Sequence, residues 1–78
     1  MRNNKLNEMQ LEGACFMECA AEDKRDILIN GEVVQANSNK FNELWDKIIS
    51  GIITFIEFID DEMTVLFKND EYYKVELV

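Results

Sequence analysis

Apolar residues Phe41, Leu44, Trp45, Ile48 and Ile49 fall at intervals of three and four, which lines them along one side of a helix. Ser38 or Asn39 can cap its start, Lys47 suits the negative end of its dipole, and Gly51 suits a left-handed position after it. The same spacing recurs at Leu6, Met9, Gly13, Phe16, Met17 and Ala20, with Glu8, Glu12, Glu18 and Glu22 mostly elsewhere on the wheel. This predicts a first helix from residue 5 to about residue 23, capped by Asn4. Gly13 in its interior costs about 1 kcal/mol relative to Ala, and a strand over residues 11–19 is the competing reading.

Ile27, Leu28 and Ile29 lead into Asn30-Gly31, and Val33 and Val34 follow. Asn-Gly supplies the two positive φ angles of a type I′ turn, so this stretch reads as a β-hairpin. Residues 52–78 read as a three-stranded meander. Its first segment, 52–59, is apolar on both faces apart from Thr54 and Glu57, the pattern of a central strand. Asp60-Asp61-Glu62 turns the chain into residues 63–67, and Lys68-Asn69-Asp70-Glu71 turns it into 72–77, where Tyr73, Val75 and Leu77 alternate with Tyr72, Lys74 and Glu76. The expectation is a small α+β domain: N-terminal helix, hairpin, amphipathic helix, then the meander. One helix, carrying Trp45 in the core, packs on a mostly antiparallel sheet of four or five strands.

With 78 residues the chain is read as a single domain, 1–78, with residues 1–4 expected to fray. A hydrophobic fraction of 47%, with five Phe, one Trp and two Tyr, provides a core and argues against disorder. A core this small supplies only roughly 3–5 kcal/mol. A homodimer burying more apolar area would offset that, and the sequence leaves the oligomeric state open.

Charge narrows the function classes. Sixteen Asp and Glu oppose eight Lys and Arg, a formal net charge of -8. The imbalance belongs to residues 26–78, which hold eleven acids and four bases. Such a surface lacks the clustered Lys and Arg that DNA, RNA or anionic lipid require, so no direct nucleic-acid and no membrane partner is expected. It suits a basic protein partner. No apolar stretch approaches the ~18 residues of a membrane span, and with only two cysteines the chain is read as cytoplasmic.

Candidate chemistry is sparse. There is no histidine, the commonest general base and metal ligand. Cys15 and Cys19 stand one helical turn apart without a third soft ligand, and are read as buried free thiols rather than a metal or redox site. Ser38 and Ser50, the only serines, sit at helix ends. The acidic turn 60–62 lacks the alternating ligands and central glycine of an EF-hand loop. The reading is therefore not an enzyme, with no cofactor and no metal.

What remains is the display of carboxylates. Asp60, Asp61 and Glu62 crowd one turn, Asp70 and Glu71 another at the opposite end of the meander, and Glu43 and Asp46 line the polar side of the second helix. These seven are the candidate partner-binding residues. In size, acidity and Asn/Ile/Lys-rich composition the chain resembles the small phage-borne inhibitors of bacterial defence, of the anti-CRISPR and anti-restriction kind. The resemblance is one of composition, without a motif, and transfers no functional residue. It implies an inhibitor that occludes the basic nucleic-acid-binding surface of a partner such as a nuclease. The alternative is a protein–protein adaptor or assembly module that uses an apolar patch or a sheet edge.

Overall fold

A computed structural model describes residues 6–78. Helix α1 (Glu8–Glu22) is followed by strands β1 (Ile27–Ile29) and β2 (Glu32–Val34), helix α2 (Asn39–Ser50), and strands β3 (Ile53–Ile59), β4 (Glu62–Phe67) and β5 (Tyr72–Leu77). All strand pairs are antiparallel, in the order β2-β1-β5-β4-β3. The α+β class and the element order are those expected from the pattern. Both helices, rather than one, contribute to the core: Met17 and Ala20 of α1 and Phe41, Leu44 and Ile48 of α2 close over Ile27, Val34, Ile53, Met63, Val65, Phe67 and Val75 of the sheet.

Residues 11–19 are helical, not a strand. Asn4 lies outside the described residues. The cap is Asn7, whose side chain accepts from Gln10 N–H while Gln10 Oε1 accepts from Asn7 N–H, a reciprocal capping box. Gln10 Nε2 also donates to the carbonyls of Ile49 and Gly51, fastening the start of α1 to the end of α2. At Gly13 α1 packs closely against α2 and β3. A Cβ there would stand 3.0 Å from Ile48 Cγ2 and 3.4 Å from Ile56 Cδ1. The helix-propensity cost of Gly13 is thus exchanged for close packing on α2 and β3.

Ser38 caps α2, its Oγ accepting from Phe41 N–H. Gly51 follows α2 in an extended conformation (φ -92°, ψ 180°) rather than the left-handed one expected. A side chain is excluded there for another reason: a Cβ would lie 2.7 Å from Lys47 O and 3.2 Å from the Phe67 ring. Trp45 is half-buried, not a full core residue, with its ring edge-on to Phe41 at 5.8 Å, and Ile49 is exposed. The buried stripe is Phe41, Leu44 and Ile48, because only one side of α2 meets the sheet.

Asn30 and Gly31 both take positive φ, 51° and 87°, as the hairpin turn requires. Asn30 also joins the hairpin to the meander: its Oδ1 accepts from Lys74 N–H, its Nδ2 donates to Tyr72 O, and its own N–H donates to Lys74 O. Docking the hairpin on β5 makes β5 an interior strand and leaves β3 at the far edge. This corrects the sequence expectation that β3 is central.

Candidate functional site

The strand order sorts the seven candidate carboxylates into separate places. Asp60 and Asp61 form the two-residue β3–β4 turn, with Asp60 at φ 54°. At that end lie also the C-terminus and the start of β1, since Leu77 N–H donates to Asp61 O and Val78 N–H to Asp26 O. Asp70 and Glu71 lie at the other end with the Asn30-Gly31 turn, because successive antiparallel connections alternate ends. Glu43 and Asp46 are exposed on α2.

Two of the seven are engaged within the fold. Glu62, half-buried, pairs with Lys74 at 3.0 Å. Glu71 accepts from Lys47 Nζ at 3.2 Å and from the Tyr73 hydroxyl at 3.4 Å. The Glu71 hydrogen bond, the neighbouring Tyr73 phenol and the Glu71 charge together raise the Lys47 pKa. A raised lysine pKa means this tie is fully present below the ordinary lysine range and is lost only as pH climbs through the higher folded value. Asp60, Asp61, Asp70, Glu43 and Asp46 make no ion pair among the described residues. The seven acids therefore do not form one surface, although Glu43 lies beside the Lys47 that Glu71 holds.

Part of the exposed apolar surface is gathered on one strand, although Leu11, Val33, Ile49 and Val78 are exposed elsewhere. β3 is a seven-residue edge strand whose two faces both carry apolar side chains. Register with β4 sets the facing: Ile56 opposite Val65 and Phe58 opposite Met63 point to the helix side, while Phe55 opposite Leu66, Glu57 opposite Thr64 and Ile59 opposite Glu62 point to the uncovered side. Phe55 is 47% exposed, Phe58 41% and Ile59 56%. Phe55, Leu66 and Tyr72 form one apolar row across β3, β4 and β5 on the uncovered face.

Backbone direction adds to this. Lys68 N–H donates to Ile52 O, and Phe67 N–H donates to Glu71 O, so alternate β4 residues address β3 and β5 in turn. Thr64 and Leu66 therefore address β3, and their partners Glu57 and Phe55 address β4. Ile56 and Phe58 are left with N–H and C=O groups pointing off the sheet. A strand of this length and apolarity with free backbone groups is a template for pairing with another strand.

Along the helix side of this edge runs a shallow groove of about 310 Å³ lined by Glu12, Cys15, Phe16, Cys19 and Phe58. Phe16 of α1 packs on Phe58, ring centroids 6.0 Å apart. Cys15 and Cys19 are both exposed free thiols, not the buried ones expected. Local desolvation and then the adjacent Cys15 raise the Cys19 pKa, which disfavours the reactive thiolate. Among the described residues no group of three or more His, Cys, Asp or Glu side chains is arranged to hold a metal ion, and no helix is long and apolar enough to cross a membrane.

Comparison with known proteins returned no matching family, curated protein or solved structure. The sequence does not mark β3 as an edge, because an apolar pattern on both faces reads equally as a buried strand. The signal that distinguishes them, the pairing of β1 with β5, is a long-range one.

Proposed function

We propose that this chain is a non-catalytic protein-binding module that engages a partner by adding a strand to β3. One observation carries the reading: an edge strand of seven residues, apolar on both faces, with backbone groups unused. In strand addition the backbone bonds supply affinity and alternate side chains supply selectivity. Glu57 is the only charge on β3, and Asp60 and Asp61 follow at its end. A partner segment with alternating apolar residues and a basic residue opposite Glu57 fits this edge. The exposed, unbridged thiols suit a reducing cytoplasmic setting.

A second reading, the acidic inhibitor of a basic nucleic-acid-binding protein, is favoured by Asp60 and Asp61, which stand at the tip of the same strand and make no ion pair among the described residues. Partner capture with three variants separates the two. Loss of the partner with Phe58→Glu, and its retention with Asp60→Lys/Asp61→Lys and with Val33→Glu, supports strand addition. Retention with Phe58→Glu and loss with the double charge reversal, together with steep salt dependence and competition by the partner's nucleic acid, overturns it in favour of the acidic inhibitor.

A further inference from the structure

We infer that, when no other strand occupies it, the β3 edge pairs with the β3 edge of a second copy of this chain, forming a continuous ten-stranded sheet about a two-fold axis at Glu57. The inference rests on the reading of β3 as a strand acceptor and names one occupant. Phe55-Ile56-Glu57-Phe58-Ile59 is self-complementary when run antiparallel to itself. Phe55 falls opposite the partner's Ile59 on the uncovered face. Ile56 falls opposite the partner's Phe58 on the helix face. Every pair flanking the axis thus joins an aromatic to a β-branched residue, a favourable cross-strand combination, and facing is preserved in each.

The backbone parity agrees with this register and with no register shifted by one residue. Ile56 and Phe58 direct their N–H and C=O groups off the sheet, since Phe55 and Glu57 address β4. About the Glu57 axis they become the hydrogen-bonded pairs, each exchanging two bonds with the partner, and Glu57 becomes a non-hydrogen-bonded pair. A shift of one residue would set outward-facing side chains against inward-facing ones. The bulge between Ile53 and Phe55 confines regular pairing to residues 55–59.

The axis also carries the weak point. The two Glu57 carboxylates face each other where opposed side chains stand closest, and like charges directly opposite destabilise a strand pair. Five paired residues bury less than a standard interface of about 800 Å² per partner. Both features make the dimer weak and open to displacement by a strand with a base at that position. Glu57 is exposed and its side chain has no ion pair among the described residues, so changing it leaves the fold alone.

Sedimentation equilibrium of the full chain, with native mass spectrometry of mixtures, tests this. Wild type should dimerise at about micromolar to tens-of-micromolar concentration. Glu57→Gln should tighten the dimer about two- to five-fold. An equimolar mixture of wild type and Glu57→Lys should give heterodimer in excess of the statistical share, because each like-charged pair is replaced by an opposite one. A chain still monomeric at about 1 mM, or a dimer indifferent to both substitutions, overturns the inference. Neither result touches the strand-acceptor reading, which falls only if Phe58→Glu leaves partner capture unchanged.

Discussion

β2 and β3 are the two edges of one sheet, yet they offer a neighbour different chemistry. β2 is three residues long and begins with Glu32, whose carboxylate is held by Lys40 at 2.8 Å. A short strand with a charged residue on its rim presents few backbone groups and no apolar row, a common way of blunting an edge. β3 is more than twice that length, carries one charge, and exposes Phe55, Phe58 and Ile59. It carries no Lys or Pro and is not short; its guards are the single charge of Glu57 and the irregularity between Ile53 and Phe55, which leaves residues 55–59 regular. In a chain with sixteen acids, this long strand edge is left nearly uncharged, and the proposed strand addition rests on that contrast.

The comparison breaks most completely if the shared scaffold fails. Phe41 is fully buried in the core shared by both helices and the sheet, so Phe41→Ala should cost about 3–5 kcal/mol, and urea titration followed by circular dichroism should find it largely unfolded. Trp45→Ala, at a half-buried position, should cost less in the same titration, about 2 kcal/mol. A larger loss for Trp45 than for Phe41 would place the core elsewhere on α2.

The next test acts on the β3 side alone. Gly13→Leu would drive a side chain into Ile48 and Ile56 and lift α1 from β3, at about 1–3 kcal/mol by the same titration. A neutral result would mean that α1 does not brace this edge. Phe58→Glu against Val33→Glu sets the edges side by side. The first should weaken strand addition at least about ten-fold, or about 1.4 kcal/mol, and the second should leave it unchanged. Equal effects at the two edges would remove the distinction.

The smallest effect lies away from both edges. After α1, Lys24 N–H donates to Ala21 O and Arg25 N–H to Ala20 O, with Lys24 at φ 53°. This is a Schellman ending with lysine where glycine is usual. Lys24→Gly should raise stability by about 0.5–1 kcal/mol without altering self-association. A loss of stability would show that the lysine side chain contributes something the backbone geometry does not reveal.

Local rules made much of this fold legible. The Asn30-Gly31 turn, the Ser38 cap and the Phe41–Leu44–Ile48 stripe follow from residues within a few positions of one another. Other features depend on pairings distant in sequence. Asn30 binds Lys74 and Tyr72, Gln10 binds Ile49 and Gly51, and β1 pairs with β5, and no short pattern specifies these partners. Asp60, Asp61 and Asp70 lie in turns and Glu43 and Asp46 on the exposed side of α2, as their local pattern indicates, whereas Glu62, expected in the turn, is the first residue of β4. The placement of the turn acids at opposite ends of the meander follows from the alternation of hairpin turns, but the pairing of Glu62 with Lys74 and of Glu71 with Lys47 depends on how the strands and α2 come together. Cys15 and Cys19 are exposed where the spacing suggests burial, because helical spacing shows which residues share a face but not which face meets the sheet.

Residue-resolved amide hydrogen exchange across a dilution series addresses the β3 edge most directly. In dilute protein the Phe55, Glu57 and Ile59 amides, bonded to β4, should be protected, while those of Ile56 and Phe58 exchange rapidly. As concentration rises, protection should appear at Ile56 and Phe58 and at no residue of β2. Ile56 and Phe58 amides protected at every dilution, or exchanging equally fast at about 1 mM, would contradict an open β3 edge that a second copy fills.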